Sequence, residues 1–149
     1  MDPGYFFRTE KNISKFSDQV SFGRIRFTYE QRRRFSGPVL RAFFNISNFW
    51  KLNAKEEMRL LGVKSYQGLG RRRRGKVILT SNELVWLGWI FIIYKKLYIL
   101  FSDDADSRRD WMKKPNNAPM FGGKSAMEYI MDTDMPMERI LSVRNYLKS

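Results

Sequence analysis

Between Leu84 and Phe101 the chain runs for eighteen residues with only two charges, Lys95 and Lys96. A helix that is apolar on all sides must be enclosed by protein or by lipid. Each lysine near a bilayer centre costs roughly 2.5–3.5 kcal/mol. The uncharged part, Leu84 to Tyr94, is too short to cross a hydrocarbon layer of about 30 Å. The run therefore reads as a core helix with other helices packed around it.

The flanking sequence supplies those helices. Leu40, Phe43, Phe44, Ile46, Phe49, Trp50 and Leu52 recur at helical spacing, and Pro38 suits the first turn of their helix, where no N–H is needed. Asn53-Ala-Lys-Glu56, Thr80-Ser-Asn-Glu83 and Ser125-Ala-Met-Glu128 read as capping boxes. Gly62 ends the second helix, and Ser65 caps a third from Tyr66 to Arg74. Asp103, Asp104 and Asp106 complement the dipole of a further helix, which ends before Pro115. Residues 116–123 read as a loop, and Pro136 opens the last helix. The expected fold is all-α with about seven helices. Phe22 to Tyr29 alternates weakly, as a strand does, and residues 1–36 read as a basic, partly ordered arm.

Composition removes whole classes of chemistry. The chain has no His and no Cys. It therefore lacks an imidazole base, a thiol nucleophile, a disulfide framework and a Cys/His zinc site. The start, Met1-Asp2-Pro3-Gly4, does not read as a secretory signal. Neither a catalytic set nor a cofactor or metal site is expected, and the chain reads as a non-enzyme.

The net charge of +13 points to a polyanion or an acidic partner. Residues 1–36 carry +4, residues 37–78 carry +8 and residues 79–149 carry +1. A basic middle unit and a near-neutral end unit imply two separate jobs. In the middle, helices over 54–61 and 66–74 joined by a short turn form a candidate helix-turn-helix. The second helix of such a unit enters the major groove. Ser65, Tyr66 and Gln67 then face base edges, while Arg71, Arg72, Arg73, Arg74 and Lys76 contact phosphates. The bland alternative is a solvated basic loop.

Four other patterns carry less. Gly70-Arg-Arg-Arg-Arg-Gly75-Lys76-Val77 lacks the Ser or Thr that a P-loop needs after its lysine. The three aspartates do not have EF-hand spacing and read as a helix start. Ser125 reads as a cap rather than a nucleophile. Gly122-Gly123 either supplies positive φ or close backbone approach, or belongs to a flexible loop.

The segment Trp111-Met-Lys-Lys-Pro115-Asn116-Asn-Ala-Pro119-Met-Phe121-Gly122-Gly123-Lys-Ser125-Ala-Met-Glu-Tyr129-Ile resembles the toxin-binding domain of the Xre/MbcA/ParS antitoxins. That family shows a Trp, a Pro-Asn, a Phe/Leu-Gly-Gly-x-Ser segment and a closing Val/Ile-x-x-x-Leu helix, here Val143 to Leu147. Leu40 to Lys76 resembles the helix-turn-helix of the same antitoxins, and Ile93 to Phe101 their linker helix.

The resemblance implies an antitoxin of a type II toxin–antitoxin pair in the cytoplasm. Its partners would be a cognate RES-domain toxin that consumes NAD⁺ and the operator DNA of its own operon. It would dimerise within a larger complex. The domains implied are an arm at 1–36, a helix-turn-helix at 37–78, and a linker helix with toxin-binding module at 79–149. The expected toxin contacts are Trp111, Asn116, Phe121, Gly122, Gly123, Ser125, Tyr129, Arg144, Tyr146 and Leu147. Aromatic anchors dominate such interfaces. Trp111 and Tyr129 also fit the module's own core. The competing reading is a stand-alone helix-turn-helix regulator whose C-terminal module only dimerises.

Overall fold

A computed structural model describes residues 26–148. Seven α-helices follow in order: α1 Tyr29–Trp50, α2 Ala54–Leu61, α3 Tyr66–Arg73, α4 Ser81–Leu100, α5 Ala105–Asp110, α6 Ala126–Met131 and α7 Pro136–Lys148. A 3-10 turn, Trp111–Lys113, continues α5. Among the described residues the fold is all-α.

The expected capping boxes form. Asn53, Thr80 and Ser125 each accept from the backbone N–H three residues on, and Glu56, Glu83 and Glu128 reach back to the cap N–H. Asp104 caps α5, and its carboxylate also accepts from the Ser107 hydroxyl at 2.6 Å.

The start of α1 differs from the expectation. Pro38 lies inside the helix, which begins at Tyr29 behind a Thr28/Gln31 capping box. Proline lacks an N–H and crowds the preceding turn, so tertiary contacts must hold this stretch. Leu79 N–H donates to Ser36 Oγ at 2.8 Å, and Phe27 N–H donates to Ser81 Oγ at 3.1 Å. Arg32 Nη1 donates to the Leu79 carbonyl at 3.3 Å, while Phe27 is buried with its ring edge-on to Phe35. The helix thus crosses the expected 36/37 boundary. Residues 26–28 form no strand, and the rest of the expected arm and strand lies outside the described residues.

Helix α4 is the axis of the molecule. Leu84, Leu87, Ile90, Phe91, Ile93, Tyr94 and Leu97 are buried along it. It packs against α1, α2 and α7. Burying each such side chain contributes about 1.5–3 kcal/mol. Among the described residues, no helix is long and apolar enough to cross a membrane.

Candidate functional site

The basic unit is α2, a turn and α3. Gly62 ends α2 at φ +69°, and an added Cβ there would meet the Trp86 ring at 2.9 Å. Gly68 brings α3 against the turn, since a Cβ there would sit 2.9 Å from Val63 Cγ1. Gly68, which costs helix propensity in α3, therefore lets it pack.

The four arginines divide into two kinds. Arg72 pairs with Glu83 at 2.9 Å and ties α3 to the start of α4. Arg73 pairs with Glu57 at 2.6 Å and covers the Phe44 ring at 4.3 Å. Glu57 is 3% exposed and also accepts from Ser47 Oγ at 2.6 Å. Arg71, Arg74 and Lys76 are exposed. Tyr66 and Gln67 are exposed at the start of α3, with Tyr66 at 63%. Ser65 Oγ is occupied as the α3 cap, accepting from Gly68 N–H at 3.0 Å.

The C-terminal unit is built around a closed loop. Asn116 N–H donates to the Lys124 carbonyl at 3.1 Å, and Gly123 N–H donates back to the Asn116 carbonyl at 3.2 Å. Asn116 Oδ1 accepts from Ala118 N–H at 2.9 Å. A bridge between Pro115 and Ser125 closes the neck. Gly122 and Gly123 turn the chain at φ +59° and +86°, and a Cβ on either would meet nothing within 4 Å. The glycines are needed here for backbone conformation rather than for space.

This loop delivers Phe121 into an aromatic cluster. Its ring lies 6.1 Å from Trp111, 5.4 Å from Tyr129 and 5.3 Å from Tyr146, edge to face with each. Trp111 and Tyr146 stack at 6.3 Å. Phe121 is buried, Trp111 and Tyr129 are half-buried, and Tyr146 is 38% exposed. The structure thus brings Trp111, Phe121, Tyr129 and Tyr146 together, with Phe121 as their core. Arg139 caps the cluster, its guanidinium 4.2 Å over Tyr129 and donating to the Tyr129 carbonyl at 2.9 Å.

Arg144 stands apart from this cluster. It lies 5.9 Å from the Trp89 ring, and burial pulls it below the ordinary arginine range. Leu147 is half-buried beside Tyr146. Ser125 is 2% exposed, and its hydroxyl accepts from Glu128 N–H at 3.0 Å. It is a cap, as its sequence context suggests.

The two units meet through α2. Lys113 Nζ pairs with Glu56 at 3.1 Å and donates to the Lys51 carbonyl at 3.0 Å. Arg59 Nη1 donates to the Thr133 carbonyl at 2.6 Å. Single-sequence reasoning gives no sign of these contacts, because their partners lie 57 to 74 residues apart.

Comparison with known proteins places this geometry. Residues 96–149 match the model of the antitoxin Xre/MbcA/ParS C-terminal toxin-binding domain. An uncharacterized protein of Sinorhizobium fredii, y4oB, is 31% identical over 108 residues, covering 72% of this chain and 80% of that protein. No solved structure matches. The matched stretch contains the closed loop, the aromatic cluster and α7, and the chain belongs to the Xre/MbcA/ParS antitoxin family.

Proposed function

We propose that this antitoxin neutralises a RES-domain, NAD⁺-consuming toxin by covering its active site, and represses its own operon by binding operator DNA. The observation that carries the toxin half is the loop-built aromatic cluster within residues 96–149. Trp111, Tyr129 and Tyr146 flank a buried Phe121, so the module offers a rigid, preformed surface rather than a segment that must order on binding. Asn116, Gly122, Gly123 and Ser125 hold that surface in shape. Arg144, Tyr146 and Leu147 on α7 supply the face nearest the end of the chain. In this proposal the protein works by binding, and Ser125, the nucleophile candidate that follows the Gly-Gly pair, is committed to a helix cap.

The DNA half rests on α3. Tyr66 and Gln67 stand exposed at its start, with Arg71, Arg74 and Lys76 exposed at and beyond its end. In this proposal the module at 37–78 lays α3 on the major groove, with Tyr66 and Gln67 toward base edges. Arg71, Arg74 and Lys76 then meet phosphates. The assembly is a homodimer within a larger complex with the toxin, in the cytoplasm.

The test is to express the tagged protein with its native genomic neighbours and purify it. The expected result is a stoichiometric complex with the product of an adjacent gene. A chain that purifies without such a partner, yet binds DNA tightly and with strong salt dependence, would favour the stand-alone regulator.

A further inference from the structure

Four large apolar side chains stand exposed within residues 96–149: Ile99, Leu100, Met135 and Tyr146. Three of them are not scattered. Ile99, Leu100 and Tyr146 line one groove, together with Leu147 and Lys96, and its volume is about 390 Å³. Ile99 and Leu100 are each 62% exposed. Single exposed apolar residues are ordinary, whereas a cluster around a concavity marks a contact surface.

The groove lies where the last turn of α4 meets the last turns of α7. Tyr146 lines it, and the Tyr146 ring stacks on Trp111 and abuts Phe121. The groove is thus continuous with the aromatic cluster that the closed loop builds. All five lining residues fall within the toxin-binding match. The one charged residue that lines it is basic, Lys96.

We infer that this groove seats a segment of the toxin whose apolar side chains are flanked by carboxylates. The inference rests on the toxin-binding reading and adds the end of α4 to it. Ile99 and Leu100 act as anchors, and Lys96 pairs with the flanking acid. Continuity with the aromatic cluster inside the toxin-binding match favours the toxin over a second copy, which would also set one Lys96 against another.

The experiment uses the full chain and the purified product of the adjacent gene, with affinity measured by calorimetry. Ile99→Glu/Leu100→Glu should weaken binding by at least about 30-fold, as loss of a hot spot does. Lys96→Glu should weaken it less and reduce its salt dependence. Met135→Glu, an equally polar change at a residue 56% exposed outside the groove, should leave affinity within about threefold of the parent. All three variants should keep the parent melting temperature. If the double variant melts early, Lys96→Glu decides the matter, since it leaves the apolar wall intact.

Unchanged affinity in the groove variants, with a parent that binds, overturns the inference and leaves the proposed function standing. A parent that does not bind overturns both. A double variant that binds the partner normally but loses self-association by light scattering would assign the groove to a second copy, and the inference fails.

Discussion

Arg73 spends its charge on a partner within the molecule. Its guanidinium neutralises Glu57, a carboxylate that would otherwise be buried beside a single hydroxyl. Arg72 pairs with the half-buried Glu83. Arg71 and Arg74 are exposed and form no ion pair among the described residues, so the run of four should separate into structural and binding members. Replacing Arg71 and Arg74 with Ala is expected to reduce the slope of log affinity for DNA against log salt by about 1.8, two phosphate contacts' worth. Their melting temperature should stay unchanged. Replacing Arg73 alone should cost about 1–3 kcal/mol of stability, the range for leaving a buried acceptor, here on Glu57, without its partner. An unchanged salt slope in the first pair would place the DNA surface elsewhere, with exposed Arg34 on α1 the next residue to test. Sequence cannot make this division. The four side chains are identical, and their partners sit 16 residues before and 11 residues after them. Gly122 and Gly123 were more legible, because a Gly-Gly pair between two helices signals positive φ. Gly123→Ala should cost about 1–2 kcal/mol from the left-handed backbone alone, read as a lower melting temperature.

Helix ends were the most legible elements. Asn53/Glu56, Thr80/Glu83 and Ser125/Glu128 satisfy orphan N–H groups locally, so three residues of sequence suffice to find them. The start of α1 is less legible, because a proline at 38 is a stronger sequence signal than the Thr28/Gln31 box. The contacts that carry the helix through Pro38, Leu79 and Ser81 above all, lie more than forty residues away. Thr28→Ala should destabilise the protein by about 1 kcal/mol, as loss of an N-cap does. Acid should loosen particular elements. The Ser107 hydroxyl and amide hold Asp104 below the usual carboxylate range, and Lys124 does the same for Asp132. Both carboxylates are depressed on folding. Their contribution is therefore complete above the ordinary value of about 3.9 and is lost as pH falls through the lower folded value. Melting temperature should fall below about pH 4, and Asp132→Asn should flatten that dependence. A variant with the parent's full acid sensitivity would show that Asp132 contributes nothing to it.

At the scale of the whole molecule, one continuous core runs from Phe27 to Val143. Helix α2 belongs to the basic unit, yet Lys113 and Arg59 bind it to the toxin-binding unit. The described chain should therefore unfold in a single calorimetric transition, and two resolved transitions would contradict that coupling. The same coupling decides how the antitoxin can be dissected. Removing residues 138–149 would strip Ile140 and Val143, both 0% exposed, from the core against α4. Such a truncation would report folding rather than neutralisation, so exposed side chains are the informative targets. The sequence made the central helix and the helical class plain, because an apolar run of that length has few alternatives. It did not show the groove at the end of α4, since Ile99 and Leu100 look there like more core. The account stands on neutralisation of an NAD⁺-consuming partner. Its most direct test is the cellular NAD⁺ level after induction of the adjacent gene's product, with and without this chain. NAD⁺ should fall when that product is made alone and hold steady when the antitoxin is made with it. NAD⁺ that holds steady in both cases, or falls equally in both, would contradict the account.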